Sequence, residues 1–363
     1  MYKVIENSEV KIVTSENYNS MFNKETGEFV RFGKTVEDDP DYCDWLPEIL
    51  DLEISQGKCS MNCPHCYKSN GEDNNTKHMT FEQFQNVFHK VANTKFIEKD
   101  GKMFFKNESP LTQIAYGITD VNSNPDFFRM MEYSRNYGVI PNYTTNGMFV
   151  TDEVAKETAR LCGAVAVSVY ENKNIAYNAI KKFTDAGMTQ VNIHFMLAEQ
   201  TFDRLFEIFN DIKTDKRLEK LNAIVLLGYK PKGSGTDSYN ILPINKFNEV
   251  VDFALENNIS LGFDSCSANR FIKAVKNRPN AEELIQLSEL CESACFSSYI
   301  NCEGIFYSCS FSENEGMWKD GINVLECSDF SKEVWNNQKT QQFREMLLKN
   351  GRKCPMFNLD NEE

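Results

Sequence analysis

Residues 49–67 read ILDLEISQGKCSMNCPHCY, a mainly apolar strand that leads into a loop with three cysteines. The cysteines Cys59, Cys63 and Cys66 have the spacing CxxxCxxC, which lets all three reach one metal site from a single loop. Pro64 favours a tight, non-helical path between them. Such a loop after a strand is typical of an α/β fold whose site lies at the carboxyl edge of a parallel sheet.

Beyond this stretch, short apolar strands alternate with amphipathic helical segments. Six units of this kind are predicted, with strands at 49–55, 111–118, 139–146, 164–170, 190–196 and 222–229. Repeated strand–helix units imply a parallel sheet with right-handed crossovers. Since six units fall two short of a closed eight-stranded barrel, we predict an α/β fold built on a partial (β/α)6 TIM-like barrel.

Changes in sequence character divide the chain into three predicted parts. Residues 1–48 form an N-terminal extension with a β-hairpin and an acidic linker. Residues 49–279 form the barrel with a following helix and strand. Residues 280–363 hold six of the twelve cysteines and form a small α+β domain that metal stabilises.

Composition restricts the class of protein. The 363 residues are 41% hydrophobic with a formal net charge of -14, so nucleic acid is not an expected partner. No apolar run is long enough to span a bilayer, and the start MYKVIENSEVKIV lacks the layout of a secretory signal. We therefore expect a cytoplasmic protein without a membrane partner. Clustered cysteines in a reducing compartment favour metal binding or chemistry.

The cysteine triplet suits an iron–sulfur cluster with an open iron. A [4Fe-4S] cluster normally takes four thiolates, and three would leave one iron free to bind a further ligand, much as a catalytic zinc site keeps an open position. The alternative is a zinc site, in which His65 would serve as a ligand, although its separation from Cys66 is awkward.

The CxxxCxxC loop, the aromatic residue after it and the six-unit barrel together resemble the radical SAM superfamily. The resemblance implies that Cys59, Cys63 and Cys66 hold a [4Fe-4S] cluster whose free iron binds S-adenosylmethionine. It also implies reductive cleavage to a 5′-deoxyadenosyl radical, which abstracts hydrogen from a substrate. A reductant such as flavodoxin or ferredoxin would supply the electron. Tyr67 matches the aromatic position near the adenine.

The resemblance places further cofactor contacts at the strand ends. The family's GGE-type turn corresponds here to 115–120 without the usual glutamate, which leaves Gly117, Thr119 and Asp120 as candidates. Ser168 stands where the family often has a serine. His194 shares a strand face with Asn192, and an ordinary core histidine stays an alternative. The remaining candidates at the ends of the third and sixth strands are Thr145, Asn146, Leu227 and Gly228.

A second cysteine group follows the barrel. Cys291 is followed after twelve residues by Gly304, and Gly304 after four residues by Cys309. This spacing resembles the opening of the SPASM and twitch domains, which hold auxiliary iron–sulfur clusters. The resemblance makes Cys327 and Cys354 the later ligands. Cys295 is an alternative to Cys291, and structural zinc or free thiols are alternatives to a cluster. Cys266 is open to three interpretations: a catalytic hydrogen donor, a ligand of the auxiliary cluster, or a buried apolar side chain.

Auxiliary domains of this kind favour a peptide or protein substrate. The first hypothesis is therefore a radical SAM enzyme that modifies peptides. The second is one that acts on a small metabolite or nucleotide. A third, from another class, is a zinc-stabilised binding protein without catalytic activity.

Overall fold

The computed structural model describes residues 2–71, 75–99, 102–237 and 239–359. Its N-terminal strands are β1 (Lys3–Glu6), β2 (Val10–Thr14), β3 (Asn19–Asn23) and β4 (Phe29–Phe32). The strands that follow are β5 (Ile49–Glu53), β6 (Ser55–Gly57), β7 (Thr76–His78), β8 (Lys95–Lys99), β9 (Lys102–Lys106), β10 (Gln113–Gly117), β11 (Ile140–Thr145), β12 (Ala164–Ser168), β13 (Val191–Leu197), β14 (Ala223–Gly228), β15 (Leu261–Phe263), β16 (Ser297–Ile300), β17 (Ile305–Tyr307) and β18 (Ile322–Asn323).

The helices fall between these strands, as the sequence predicts for the barrel. They are α1 (Phe81–Val91), α2 (Phe127–Asn136), α3 (Asp152–Leu161), α4 (Lys173–Asp185), α5 (Phe202–Thr214), α6 (Ile244–Glu256), α7 (Ala268–Val275), α8 (Ala281–Gln286) and α9 (Gln338–Lys349). None of these helices combines the length and the apolar character needed to cross a membrane, within the described ranges.

One large sheet organises the molecule. Its strand order is β15-β14-β13-β12-β11-β10-β5-β16-β17-β18. All pairs from β5 through β15 in this order are parallel. The six predicted strands and the intervening helices are confirmed, and with them the α/β partial barrel. The carboxyl ends of these strands therefore meet at one edge, where the cysteine loop begins.

Local sequence fixes where the helices start and which face they bury. The Thr80 side chain accepts a hydrogen bond from the Gln83 amide at 3.2 Å, while the Gln83 side chain accepts one from the Thr80 amide at 2.9 Å. This reciprocal cap satisfies two backbone donors that the helix leaves unpaired. The α1 residues Phe84 and Phe88, one turn apart, are then fully buried against the sheet.

The N-terminal extension contains more structure than the predicted hairpin. β1 and β2 add a second hairpin, so that the four strands form an antiparallel sheet in the order β1-β2-β3-β4. Lys11 reaches the barrel from this sheet, and its ammonium donates to the Leu111 carbonyl at 2.7 Å. Arg31 pairs with Glu292, beyond the barrel strands, at 2.6 Å. These two contacts attach the extension to the rest of the molecule.

The C-terminal part continues the barrel sheet. β16 pairs in parallel with β5, and Tyr299 lies opposite Asp51. β17 and β18 then extend the same sheet with antiparallel pairing. The segment from β16 to β18 is therefore joined directly to the first barrel strand, which is the strand that leads into the cysteine loop.

Candidate functional site

A cavity of about 690 Å³ lies at the carboxyl edge of the parallel sheet. The cysteine loop, the strand ends and the C-terminal part of the chain form its walls. The residues predicted from the sequence that line it are Cys59, Cys63, Cys66, Tyr67, Gly117, Thr119, Thr145, Asn146, Ser168, His194, Leu227 and Gly228. The structure thus brings together side chains from five strand ends and one loop.

Asp120 does not line the cavity but holds the cysteine loop. Its Oδ2 accepts hydrogen bonds from the Ser60 amide at 3.0 Å and the Ser60 hydroxyl at 2.8 Å. Its Oδ1 accepts one from the Asn146 amide group at 2.7 Å. Asn146 also donates to the Thr119 carbonyl at 3.1 Å. Both carboxylate oxygens of this predicted cofactor contact are therefore used within the protein, and they fix the position of the loop beside Cys59.

The loop after β14 covers the cysteine loop from the other side. Gly233 has φ of +61°, and a Cβ atom there would come within 2.5 Å of the Tyr67 carbonyl oxygen. A Cβ atom on Gly235 would come within 3.0 Å of the His65 carbonyl oxygen. The Tyr229 hydroxyl donates to the Gly235 carbonyl. Glycine is required here because two backbones approach each other directly.

The three thiols of the triplet are partly exposed. Burial raises the pKa of Cys63 to about 11, and the neighbouring Cys59 and Cys66 act in the same direction. Burial also raises the pKa of Cys66. The thiolate forms of Cys63 and Cys66 are therefore disfavoured in the protein alone, and a bound cation would reverse this balance.

The spacing of the thiols bears on the kind of metal group that would fit. Among the residues that the structure describes, no three Cys, His, Asp or Glu side chains converge closely enough to hold a single metal ion. Zinc ligands must all lie about 2.0–2.3 Å from one ion, whereas the thiolates of a cubane bind separate iron atoms. The two kinds of metal group therefore require different spacings of the three thiols.

The cavity also fits a polar organic cofactor. The Thr119 hydroxyl is buried and has no hydrogen-bond partner among the described residues. Gly117 brings its backbone so close to β5 that a Cβ atom would lie 3.1 Å from the Glu53 Cα. A Cβ atom on Gly228 would lie 2.7 Å from the Ser267 hydroxyl. These strand ends therefore offer one unpaired hydroxyl to a ligand, beside two glycines whose backbone packs closely against neighbouring segments.

His194 and its neighbours form the inner wall. Burial lowers the pKa of His194 to about 4, and Asp264 opposes this in part. The His194 Nδ1 lies 3.3 Å from the Thr144 hydroxyl. The histidine is therefore neutral at physiological pH, with a hydroxyl beside one ring nitrogen, and it lines the cavity.

A second group of thiols lies near the cavity. Burial raises the pKa values of Cys266, Cys291 and Cys309. Cys354 raises all three further, and Cys291 acts on Cys266 as well. Four cysteines from three distant parts of the chain therefore lie within electrostatic reach of one another.

Cys327 and Cys295 belong to other surroundings. Burial raises the pKa of Cys327, and the neighbouring charges that act on it are Lys90, Glu333 and Asp329. The Cys327 thiol donates to the Val324 carbonyl at 3.2 Å. Burial likewise raises the pKa of Cys295, whose neighbours include Arg352 and Arg344. Cys266 thus lies within electrostatic reach of Cys291 and Cys354, whereas no other cysteine acts on Cys327.

Two buried lysines near the site were not identified from the sequence. The Lys230 ammonium lies 2.6 Å from the Asp264 carboxylate and over the ring of Phe311 at 4.5 Å. Lys68, directly after Tyr67, contacts the carboxylates of Glu53, at 3.1 Å, and Glu313. Isolated lysines in loops resemble solvated residues, because their acidic partners are distant in the sequence.

The sequence matches no protein-family model and no curated protein. The fold, in contrast, is similar to solved structures over most of its length. The crystal structure of Streptococcus suis SuiB bound to the precursor peptide SuiA has a TM-score of 0.66 at 11% identity, covering 95% of this chain and 90% of that chain. SuiB bound to S-adenosylmethionine also has a TM-score of 0.66 at 11% identity, covering 94% of this chain and 90% of that chain.

A third structure is native anSMEcpe with bound AdoMet and a Cp18Cys peptide. It has a TM-score of 0.59 at 16% identity and covers 85% of this chain and 87% of that chain. The chain shares the fold of these structures. At these identities the similarity establishes the fold alone. It confirms the predicted α/β partial barrel.

Proposed function

We propose that this chain is a radical SAM enzyme that modifies a peptide or protein. The observation that carries the proposal is the position of Cys59, Cys63 and Cys66, which face a cavity of about 690 Å³ at the carboxyl edge of the partial barrel. Three thiols from one loop fit a cluster with an open iron. The zinc-stabilised binding protein is the alternative that the iron analysis below would identify.

The cofactors would divide between the loop and the strand ends. In our proposal Cys59, Cys63 and Cys66 hold a [4Fe-4S] cluster, and S-adenosylmethionine lies against the strand ends. Together these groups supply a 5′-deoxyadenosyl radical when an external reductant such as flavodoxin or ferredoxin provides an electron. The unpaired Thr119 hydroxyl would take a polar group of the S-adenosylmethionine.

The chain's own residues position and enclose these groups. Asp120 and Asn146 hold the cysteine loop through hydrogen bonds. Tyr67 stacks on Phe311 with ring centroids 4.4 Å apart, which joins the cysteine loop to the C-terminal part and excludes water from that side. We infer that Ser168, Thr145, His194, Leu227 and Gly228 contribute the remaining cofactor surface.

The second thiol group would hold an auxiliary iron–sulfur cluster. We propose Cys266, Cys291, Cys309 and Cys354 as its four ligands, which makes Cys266 a ligand and not a hydrogen donor. Lys230 lies beside this group and acts electrostatically on Cys266. A buried cation next to a negatively charged cluster would stabilise its reduced form.

A peptide substrate is favoured by the similar structures, since SuiB binds the precursor peptide SuiA and anSMEcpe binds the Cp18Cys peptide. The region from 280 to 363 would be the auxiliary-cluster domain and the region from 49 to 279 the catalytic one. A cytoplasmic location would suit both clusters, because a reducing compartment preserves free thiols.

Anaerobic purification and reduction with dithionite test the proposal. A brown protein with about eight iron atoms per chain is expected for two [4Fe-4S] clusters. Reduced protein should convert S-adenosylmethionine to 5′-deoxyadenosine and methionine. The triple substitution of Cys59, Cys63 and Cys66 by alanine should abolish this cleavage while the auxiliary iron remains. A colourless protein that contains zinc would contradict the proposal.

A further inference from the structure

The floor of the cavity contains a carboxylate on the first barrel strand. Tyr299 lies opposite Asp51, Asp51 opposite Ala115, and Ala115 opposite Asn142. In a parallel sheet, directly opposed residues place their side chains on the same face. All four residues line the cavity. Asp51 lies two residues before Glu53 on β5, about 6.6 Å further from the carboxyl end of that strand. It therefore lies deeper in the barrel than the cysteine loop, which follows that end.

Asp51 has no partner within the described part of the chain. Its carboxylate takes part in no hydrogen bond or ion pair there, and burial and the negative charge of Glu292 raise the pKa of the carboxyl to about 7. The side chain of the neighbouring Asn142 is already engaged, since its NH2 group donates to Gln113 at 2.9 Å and its oxygen accepts from the Ala164 amide at 2.8 Å. Asp51 is partly accessible from the cavity, so its carboxylate can be reached by a ligand.

Each lysine and arginine that lines the cavity, among the described residues, already has an acidic partner. Lys68 contacts two carboxylates, Glu53 and Glu313. Lys230 pairs with Asp264 at 2.6 Å. Arg204, the third such residue, pairs with Glu171 at 3.7 Å. These lysines and arginines therefore leave Asp51 without a cationic partner.

We propose that the floor of the cavity binds a cationic group of the substrate, an ammonium or guanidinium on an aliphatic stem, with Asp51 as its carboxylate partner. In a peptide these groups are the side chains of lysine and arginine. The small side chains Ala115, Ala164 and Ala166 leave room for the stem along the barrel wall, and such stems pack well on apolar surface. The proposal rests on the proposed function and names the substrate class of the same site.

The overall charge of the protein agrees with a cationic substrate. The formal net charge is -14, which favours the approach of positively charged ligands. S-adenosylmethionine is itself a cation. It is therefore kept at a saturating concentration in every arm of the test, so that any selectivity reports a second cationic group.

Affinity selection with synthetic peptide pools tests the proposal on the anaerobic holoenzyme. Four pools of short, acetylated and amidated peptides share random flanks and differ at one central residue: lysine, arginine, norleucine or glutamate. Bound peptides are isolated by rapid gel filtration and identified by mass spectrometry. The lysine and arginine pools should be enriched about tenfold or more over the norleucine pool, as expected for a desolvated charge pair. Glutamate peptides should be excluded.

Substitutions at two acidic positions separate the local effect from general electrostatics. Asp51→Asn keeps the shape of the side chain and should reduce the ratio of lysine to norleucine peptides to about one. Glu303→Gln removes an exposed acid, 56% accessible, and should leave the ratio as in the wild type. Equal enrichment of the four pools by the wild type, no retention of any pool, or an unchanged ratio in Asp51→Asn would each overturn the proposal.

The test keeps the two proposals distinguishable. Iron content and the reductive cleavage of S-adenosylmethionine by the wild type, measured without peptide, report on the proposed function. Peptide enrichment does not require turnover. A protein that selects cationic peptides but neither contains clusters nor cleaves S-adenosylmethionine would support the cation site and contradict the enzyme. Cleavage of S-adenosylmethionine without selection of cationic peptides would support the enzyme and contradict the cation site.

Discussion

The Asp120 carboxylate and the Ser60 backbone amide are joined by a hydrogen bond of 3.0 Å, which connects the end of the second barrel strand to the cysteine loop. The Ser60 hydroxyl donates to the same oxygen at 2.8 Å. Because Ser60 follows Cys59 directly, this pair decides where the first cysteine lies. A residue that the sequence suggests as a cofactor contact thus positions the metal-binding loop.

Removal of the Asp120 charge should loosen the loop. In Asp120→Asn the NH2 group of the new side chain would face groups that themselves donate hydrogen bonds. We therefore expect a loss of about 1–3 kcal/mol in the free energy of unfolding. Cluster iron should be lost more rapidly to a chelator. Urea unfolding and the rate of iron release measure the two effects. The control is Asp126→Asn, which removes a carboxylate from an exposed ion pair with Arg129; equal iron release from both variants would contradict the assigned role.

Gly233 should tolerate alanine much less well than a glycine with the same backbone angle elsewhere. Gly233 and Gly351 have φ of +61° and +59°. A Cβ atom on Gly233 would lie within 3 Å of backbone atoms, whereas one on Gly351 would have nothing within 4 Å. Gly351→Ala should cost about 1–2 kcal/mol from the left-handed conformation alone.

Gly233→Ala should cost about 1–3 kcal/mol more than Gly351→Ala, because the Tyr67 carbonyl must also move. Urea unfolding of both variants measures the difference. The additional loss of stability in Gly233→Ala should be accompanied by weaker binding of S-adenosylmethionine, since the displaced carbonyl belongs to the cysteine loop. Equal losses of stability would show that the two loops are not in contact.

Cys266 and Cys327 should differ in their effect on iron content. Cys266→Ala should lose about four of eight iron atoms per chain, because it removes a ligand of the auxiliary cluster. Cys327→Ala should retain all of them, since its thiol hydrogen-bonds to a carbonyl and lies among other charges. Iron analysis and electron paramagnetic resonance of the reduced proteins measure this. An iron content of Cys266→Ala equal to that of the wild type would contradict its role as a ligand and favour the hydrogen-donor interpretation.

His194 should make the free energy of unfolding decrease as the pH is lowered. Burial lowers its pKa in the folded protein to about 4 from the ordinary 6.5. Between these values the unfolded chain binds a proton that the folded protein does not, so stability is present above about pH 6.5 and falls as the pH decreases.

His194→Gln should therefore lose less stability than the wild type between about pH 7 and about pH 5. Urea unfolding at both pH values measures the difference. The exposed His78, changed to glutamine, serves as the control and should behave as the wild type does. An identical pH dependence in the wild type and His194→Gln would contradict the burial of a neutral imidazole.

Part of the site follows from the sequence because it is local. The CxxxCxxC loop lies within eight residues, so its three thiols converge whatever the rest of the chain does. The acids Asp51 and Glu53 alternate with Leu50 and Leu52, and this pattern already indicates two carboxylates on one strand face. Their importance was missed because an alternating acidic strand is also typical of a solvated face.

The parts that could not be predicted depend on pairings between distant segments. Whether Cys266 or Cys327 joins Cys309 depends on which segments the fold brings to the cavity, and spacing along the chain carries no such information. Lys230 resembles an ordinary loop lysine until Asp264 is placed 2.6 Å away. The first hairpin of the N-terminal extension was also missed, since β1 and β2 gain their order by packing on the barrel through Lys11.

By itself, the sequence determined the repeated strand–helix units, the open barrel and the position of the cysteine triplet after the first strand. These features rest on periodicity and spacing, which short-range backbone geometry enforces. The tertiary structure alone decided that β16 joins β5, that four cysteines from three distant segments gather beside the cavity, and that Asp51 faces the cavity without a partner among the described residues. Each of these features depends on contacts between segments that are distant in the sequence, because the pairing of those segments is decided by the burial of the whole sheet.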